Sequence, residues 1–504
     1  MKKLLWLTLG LALVAGESPL GQPGAATTTV VIVVDGLRPD YVTTELMPRL
    51  VRLGQRGIVF NAHHSVFPTV TRVNAATFAT GTYPETHGLL GNAVYVPSVN
   101  ATRSLDTGSR ENLEAIARAD APLLTAPSLG EILQRAGKKL LAVGSGTSGA
   151  AFLLNHTVAD GAIIHHQFTR PAGLGAHVLE KLGPPPAHAT PNAAQNRRAV
   201  DAYLTIGLDE IHPDVTWMWI SDPDTTAHSH GIGAPATRDA LKLVDAEIGR
   251  IEDTLQAKGQ LARTNLIVTS DHGFSSHTRT LRLEALVEPF ARTMPDGSRD
   301  IVVAEGAIYL RAGHDEARVA AIVAALQRRP EVGAIFTRPR ADGARGPGGV
   351  VPGTLSFDVA RWNHARAGDI LVSANWTAAK NADGYAGTTT QSGTAGHGAS
   401  SPHDIHNTLI AAGPDFRERA VSDIPTGNVD LAPTLLRLLG LPIPAAMTGR
   451  VIEEGLRSGP AASAVRVEHA SESVKTPDGS YELTAHLSSA AGHRYLDFTE
   501  VVRR

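Results

Sequence analysis

The run Val30-Val31-Ile32-Val33-Val34, followed at once by Asp35, decides the fold of this chain. Consecutive β-branched residues are typical of a strand buried on both faces, as in the parallel sheet of an α/β protein. Apolar runs at 215–220 and 266–269 repeat the pattern, and helical patterns lie between them. Alternating strands and helices predict a mostly parallel sheet flanked by helices.

Metal-binding side chains follow the ends of these strands. Open α/β sheets gather their sites at the carboxyl ends of strands, so one pocket can collect these groups. Carboxylates and imidazoles suit zinc, although manganese or cobalt could also bind such a set. The six candidate ligands are Asp35, Asp224, His228, Asp271, His272 and His397.

Composition excludes several classes of function. The chain has 504 residues, which indicates one large domain with inserts or two domains. Its net charge of −3 includes no basic stripe, so no nucleic-acid polymer is expected as a partner. Cysteine is absent, which excludes thiolate metal sites, cysteine nucleophiles and the cysteine that sulfatase-type enzymes convert to formylglycine.

The N-terminus has the pattern of a secretory signal. Lys2-Lys3 precede an apolar stretch at 4–15, and small residues follow at Ala15-Gly16. We therefore expect residues 1–16 to be a signal peptide and the protein to be exported, either periplasmic or secreted. The run is shorter than the roughly 20 apolar residues of a transmembrane helix, so no stable membrane span is expected after removal, although a retained anchor is the alternative.

The order of patterns also predicts a domain organisation. A catalytic domain is expected at 28–280 and 395–450, with an inserted lobe at 281–394 folded over the site. Residues 164–200, rich in Pro, Ala and His, are expected to be an exposed excursion. Residues 461–504 alternate around the turn Pro477-Asp478-Gly479, which predicts a C-terminal β-hairpin.

Several short motifs, in order, carry a resemblance to a known family. The chain resembles the nucleotide pyrophosphatase/phosphodiesterase branch of the alkaline phosphatase superfamily over about residues 30–280 and 395–445. Each motif is weak alone, but together they are specific. They are Val34-Asp35-Gly36-Leu37-Arg38-Pro39-Asp40-Tyr41, Phe67-Pro68-Thr69-Val70-Thr71 with Asn74, the segment 79–88 closed by Gly91-Asn92, the segment 223–228, Ser270-Asp271-His272-Gly273, and Gly396-His397-Gly398.

The resemblance implies an alkaline-phosphatase-like fold and a two-zinc site. One zinc would be held by Asp224, His228 and His397, and the other by Asp35, Asp271 and His272, next to the Thr71 oxygen. Thr71 would be the nucleophile and form a phosphothreonine intermediate, and Asn92 would donate a hydrogen bond to a phosphoryl oxygen. Two metals roughly 4 Å apart stabilise the attacking and leaving oxygens of such a displacement.

The resemblance also implies the substrate class, a small phosphodiester, nucleotide or phosphonate. A phosphonate hydrolase or phosphomonoesterase is the alternative, and a catalytically silent metal-containing binding protein is a rival from another class. Spacing alone does not separate Thr71 from Thr69, and Asn92 could instead occupy a left-handed turn after Gly91. The oligomeric state is not indicated.

Other residues have no matching position in the family pattern. His64 and His406 are among several histidines expected at the surface or behind the ligands. Tyr95 is expected either to line a leaving-group pocket or to be an ordinary packed tyrosine. Arg72, which replaces an aromatic residue after the nucleophile, could contact an anionic substrate or point to solvent.

Overall fold

The computed structural model describes residues 26–157, 161–278, 281–340 and 346–504, so the expected signal peptide at 1–16 lies outside the described residues. The described strands are β1 (Thr28–Val34), β2 (Ile58–His64), β3 (Ala93–Val94), β4 (Leu105–Asp106), β5 (Leu140–Gly144), β6 (Ala162–His165), β7 (Thr169–Arg170), β8 (Val215–Ile220), β9 (Thr264–Thr269), β10 (Ser275–His277), β11 (Ile301–Ala304), β12 (Ala307–Leu310), β13 (Val332–Thr337), β14 (Leu355–Ser356), β15 (Ile370–Ala374), β16 (Trp376–Lys380), β17 (Ala386–Thr389), β18 (Ala395–Gly396), β19 (His406–Ala412), β20 (Ala420–Ser422), β21 (Thr426–Gly427), β22 (Val467–Lys475), β23 (Tyr481–Ala490) and β24 (His493–Arg503).

Helices cover the sheets and connect the strands. The described α-helices are α1 (Pro48–Arg56), α2 (Thr71–Thr80), α3 (Pro84–His87), α4 (Arg110–Ala119), α5 (Leu129–Arg135), α6 (Ser148–Leu154), α7 (Leu174–Leu182), α8 (Ala193–Ala202), α9 (Asp224–His230), α10 (Pro235–Ala257), α11 (Leu283–Val287), α12 (Glu316–Gln327), α13 (Pro402–Ile405) and α14 (Leu431–Leu438).

The large central sheet has the strand order β20-β2-β19-β9-β1-β8-β5-β6-β7, with β21 also paired to β2. Strand β1 lies in its middle and is parallel to both neighbours, β8 and β9. Strand β19 is antiparallel to β9 and β2, and β7 is antiparallel to β6. The predicted α/β architecture with a mostly parallel sheet is confirmed.

Apolar side chains of β1 enter two separate cores, one on each face of this sheet. Val31 and Val33 pack in one core, whereas Val30, Ile32 and Val34 pack in the other. Because successive side chains of a strand point to opposite faces, a run of β-branched residues fills both cores at once. This is the burial on both faces that the sequence predicts.

The segment 164–200 differs from the expectation of an exposed excursion. Part of it forms α8, whose Gln195, Asn196 and Ala199 are buried. Asn196 donates from Nδ2 to Asp222 Oδ2 at 2.8 Å, so this helix supports the turn after β8. Most residues at 171–190 are exposed as expected, so the expectation fails only for the part that α8 buries.

Among the described residues, four smaller sheets lie beyond the central one, and two of them concern the predicted lobe and C-terminal extension. A five-stranded sheet, in the order β11-β12-β15-β13-β14, falls within 281–394. The C-terminal residues form the predicted pair β22-β23, and β24 adds a third antiparallel strand to it, so the extension is a three-stranded sheet and not a hairpin alone. Its Tyr481 and Leu483 share a core with Phe336 and Trp362.

Among the described residues, no helix combines the length and the apolar character needed to cross a membrane.

Candidate metal and nucleophile site

The carboxyl edge of the central sheet gathers the three candidate carboxylates. Asp35, Asp224 and Asp271 come shortly after the neighbouring strands β1, β8 and β9. Backbone contacts tie the three turns together: Asp224 N–H donates to the Asp35 carbonyl at 3.0 Å, and Gly36 N–H donates to Asp271 Oδ1 at 3.2 Å. Because β1, β8 and β9 are parallel neighbours, their carboxyl ends lie side by side and bring the three carboxylates together.

The six candidate ligands form two groups of three. In the first, Asp224 Oδ1 lies 3.3 Å from Nε2 of both His228 and His397. In the second, His272 Nε2 lies 3.0 Å from Asp271 Oδ2 and 3.5 Å from Asp35 Oδ1. The rings of His272 and His397 stack at a centroid distance of 3.5 Å, so the two groups adjoin. Each group has the nitrogen and oxygen donors that zinc accepts.

Each histidine is oriented by a backbone carbonyl behind it. Nδ1 lies 2.9 Å from Ala395 O in His228, 3.0 Å from Gly273 O in His272 and 2.9 Å from Thr69 O in His397. A carbonyl only accepts, so each Nδ1 carries a proton, and Nε2 is the ring atom left to bind a metal. This is the tautomer that binds a metal.

Three buried carboxylate oxygens have no hydrogen-bond donor within the described residues: Asp35 Oδ1, Asp224 Oδ1 and Asp271 Oδ2. All three face the imidazole Nε2 atoms described above. Burying several carboxylates together without donors is unfavourable unless cations compensate their charge. The orphaned oxygens therefore fit bound metal ions.

The charges of the site shift its pKa values in opposite directions. Burial, with the nearby charges of Asp271 and Asp224, raises the pKa of Asp35 well above its usual range. Burial opposes ionisation of Asp224, but the charge of His228 outweighs it and the pKa of Asp224 is lowered. Burial lowers the pKa of His397 to about 4, and the charge of His272 adds to that effect. Such mutual perturbation is typical of sites that hold charge for a function.

Glycines on both sides of His397 permit its close approach. A Cβ on Gly396 would lie 2.7 Å from Cε1 of His277 and 3.2 Å from Cε1 of His228, so a side chain there would displace a ligand. Gly398 has a φ of +109°, a region that side chains rarely adopt. The Gly-His-Gly motif is thus a steric requirement of the site.

The two candidate hydroxyls differ in their contacts. Thr71 is the first residue of α2, and its buried Oγ1 lies 3.4 Å from His272 Nε2. Thr69 Oγ1 donates to Ala399 O at 2.9 Å and accepts from Gly398 N–H at 3.1 Å. The structure brings Thr71 to the ligands and uses Thr69 to fix the loop that carries His397.

Asn92 lines the same cavity as the ligands His228 and His397. Its Oδ1 accepts from Arg72 N–H at 3.0 Å, which leaves the Nδ2 group as the donor of this side chain. Its own backbone N–H donates to Glu305 Oε2 at 2.7 Å. Glu305 lies in the turn between β11 and β12, with a φ of +58° that is uncommon for a residue other than glycine. A residue of the lobe thus holds the segment that carries Asn92.

Sequence reasoning missed three residues that position this site. Trp219 Nε1 donates to Asp35 Oδ2 at 2.9 Å, and Asn428 Nδ2 donates to the carbonyl of Asp271 at 2.9 Å and to Asn74 Oδ1 at 3.0 Å. Glu305 is the third. No local pattern marks Asn428 or Glu305, because each reaches the site from a distant segment. Tyr95 is a packed tyrosine, buried against Tyr309.

A cavity of about 490 Å³ opens beside the ligands. The core contributes Phe67, Asn92, His228 and His397, and the lobe contributes an apolar wall together with Glu284 and Glu305. No lysine or arginine is found among the described residues that line it. Its volume lies within the range of small-molecule sites, about 300–1,000 Å³. The apolar wall consists of Leu281, Leu283, Ala304, Ala307, Leu371, Val372 and Ala374.

Comparison with known proteins gives a consistent result. Residues 29–399 match the family model for type I phosphodiesterase/nucleotide pyrophosphatase. The chain is 27% identical over 250 residues to human ectonucleotide pyrophosphatase/phosphodiesterase family member 1, an alignment that covers 49% of this chain and 23% of that protein. The match thus spans less than a quarter of that relative.

Solved structures of low sequence identity share the fold. An inactive variant of murine ectonucleotide pyrophosphatase/phosphodiesterase 5, in complex with AMP, superposes with a TM-score of 0.56 at 20% identity, covering 83% of this chain and 96% of that one. A mutant of the alkaline phosphatase PafA superposes with a TM-score of 0.61 at 16% identity, covering 86% and 99%. The predicted alkaline-phosphatase-like fold is confirmed.

Proposed function

The chain belongs to the type I phosphodiesterase/nucleotide pyrophosphatase family, and we propose that it is an exported, metal-dependent hydrolase of small phosphodiesters with Thr71 as its nucleophile. One observation carries this proposal. Three orphaned carboxylate oxygens and three imidazole Nε2 atoms converge beside the Thr71 hydroxyl.

These residues fit two divalent cations, for which zinc suits the donor set. Asp224, His228 and His397 would hold one, and Asp35, Asp271 and His272 the other. When bound, the cations supply Lewis-acid charge for the attacking and leaving oxygens. Superfamily resemblance and donor chemistry support this assignment.

Thr71 stands where an anion is stabilised by the backbone. It begins a helix of ten residues, and the N-terminus of a helix carries positive partial charge. Attack by its Oγ1 forms a bond to phosphorus and breaks the bond to the leaving alcohol, which gives a phosphothreonine ester. Hydrolysis of that ester restores the hydroxyl.

Asn92 would stabilise the charge that develops during this attack. The carboxamide oxygen is engaged by Arg72 N–H, so Nδ2 donates to a phosphoryl oxygen without adding formal charge. Preorganised donors of this kind act on the transition state because they need no reorganisation.

Charges around Asn92 favour a diester over a monoester. Arg72 pairs with Asp106 at 3.7 Å and lies close enough for its charge to act on Glu305. Asp106 balances the guanidinium, so the carboxylate of Glu305 adds repulsion toward a dianion. A phosphomonoester carries one more negative charge than a diester, so we infer that it binds less well.

The cavity would take the leaving group. Its volume and apolar wall suit a nucleoside or another largely apolar alcohol, and the AMP complex of the murine relative is consistent with a nucleotide. The name of the human relative supports the same substrate class.

The test is a comparison of initial rates on a nitrophenyl phosphodiester and the matching monoester, with zinc-loaded protein. Thr71→Ala should abolish turnover of the diester, whereas the matched control Thr71→Ser keeps a hydroxyl and should retain part of it. Faster turnover of the monoester would replace the proposal with a phosphomonoesterase. Full activity in Thr71→Ala would remove Thr71 from the mechanism.

A further inference from the structure

A third cluster of potential ligands lies away from the site just described. His64 ends β2, His406 begins β19 and Asp497 lies in β24. One ligand atom from each lies within 4.8 Å of the other two. None of these residues belongs to the two groups of the candidate site.

His64 lies between two hydrogen-bond acceptors. Nδ1 lies 2.8 Å from the Thr426 carbonyl, and Nε2 lies 2.8 Å from Asp497 Oδ1. The carbonyl only accepts, so Nδ1 carries a proton and the Nε2 lone pair faces a carboxylate oxygen. Two acceptors at that distance need a proton between them or a metal ion that both can bind.

The same arrangement recurs at the candidate ligands. His228, His272 and His397 each set Nδ1 against a backbone carbonyl, at 2.9–3.0 Å, and point Nε2 at a carboxylate oxygen. His64 matches them in both contacts. A carbonyl behind Nδ1 fixes the ring and raises the basicity of Nε2, which is the usual support of a histidine that binds a metal.

Other contacts complete the cluster. His406 lies beside His64, with ring centroids 4.6 Å apart, and supplies a second imidazole. Asp497 Oδ1 also accepts from Ser488 Oγ at 2.7 Å, which holds the carboxylate in place. A cavity of about 80 Å³ adjoins His64 and Tyr495.

We propose that His64, His406 and Asp497 bind a third divalent transition-metal ion, with zinc as the ion that best suits two imidazoles and one carboxylate. Two of the ligands belong to the central sheet and the third to the C-terminal sheet. The ion would therefore cross-link these two sheets. This proposal is independent of the proposed function, because it involves none of the residues placed in catalysis.

The experiment is a measurement of metal content by mass spectrometry on folded protein loaded with zinc and freed of excess ion. We expect the wild-type chain to retain one zinc ion more than His406→Ala and Asp497→Asn, which is three against two when both groups of the candidate site are also filled. Asp497→Asn is nearly isosteric, which protects against a folding defect. His469→Ala, an exposed histidine of β22, is the matched control and should keep three. Diester turnover should be unchanged in all three variants.

A second readout is thermal unfolding during a zinc titration. An ion that bridges two sheets binds only the folded chain, so added zinc should raise the Tm of the wild type more than that of Asp497→Asn. Two zinc ions in the wild type, with no difference between it and the variants, would overturn the proposal and leave a proton between His64 and Asp497. Three ions retained in both variants would also overturn it, because the third ion would then lie elsewhere.

Discussion

Replacement of Trp219 by phenylalanine should weaken metal binding without touching a ligand. Trp219 Nε1 donates to Asp35 Oδ2 at 2.9 Å in the interior, and Asp35 Oδ1 has no donor in the described structure. Phenylalanine has no N–H to donate, so the substitution removes the hydrogen bond to Asp35 Oδ2 and leaves both oxygens of this buried carboxylate without a donor. Burial and the charges of Asp271 and Asp224 already raise the pKa of Asp35, and loss of the donor raises it further.

The size of the effect follows from this bond. A hydrogen bond to a charged group contributes about 1.5–3 kcal/mol. Loss of a partner behind a metal ligand costs about 10–100-fold in metal affinity, which is about 1.4–2.7 kcal/mol and therefore of the same size. We expect the zinc concentration for half-maximal diester turnover to rise by about 10–100-fold, with turnover restored by excess zinc.

The chain offers a matched control in the same strand. Trp217 is also fully buried in β8, but its Nε1 has no hydrogen-bond partner in the described structure. Trp217→Phe removes the same atoms from a core and no hydrogen bond to a ligand. A metal-buffered titration of all three proteins would refute the reasoning if both variants shifted equally, or if Trp219→Phe did not shift at all.

Three other perturbations have defined outcomes. Asn92→Ala should reduce kcat for the diester by about 10²–10³-fold, because it removes a donor to the developing charge, and a loss expressed only in KM would contradict that role. Glu305→Gln keeps an acceptor for Asn92 N–H but removes a charge, so the ratio of monoester to diester turnover should rise, and an unchanged ratio would exclude charge repulsion as its cause. Burial lowers the pKa of His87 to about 3, whereas an unfolded histidine has a pKa of about 6.5. Between these pH values the unfolded state binds more protons than the folded state, so the free energy of unfolding falls as the pH falls. Lowering the pH from 7 to 5 should therefore cost about 2 kcal/mol of folding stability at this residue. Urea unfolding at both pH values would measure that loss, and His87→Gln should reduce it if the titration is assigned correctly.

Much of the fold could be predicted because short apolar runs in the sequence indicate which strands are buried. The apolar run at 215–220 coincides with strand β8, Val215–Ile220. The convergence of Asp35, Asp224 and Asp271 follows from parallel pairing, which places the ends of strands together.

Strand direction and long-range contacts could not be predicted in the same way. The chain leaves His397 at the carboxyl edge and re-enters the sheet from there, so β19 runs antiparallel to β9. The residues of β19 themselves contain no signal for the direction in which the strand runs. Likewise, Glu305 and Asn428 contact the site from distant segments of the chain, so their roles could not be predicted from residue spacing.

The packing of Tyr495 has a consequence for the order in which the candidate site is completed. Tyr495 shares a small core with Val66 and Val70, in the loop before Thr71, and its hydroxyl donates to Asp430 Oδ2 at 2.8 Å. A nascent chain makes Thr71 and most ligands long before it makes Tyr495. The loop before Thr71 therefore gains its final packing only after the C-terminal sheet has been synthesised.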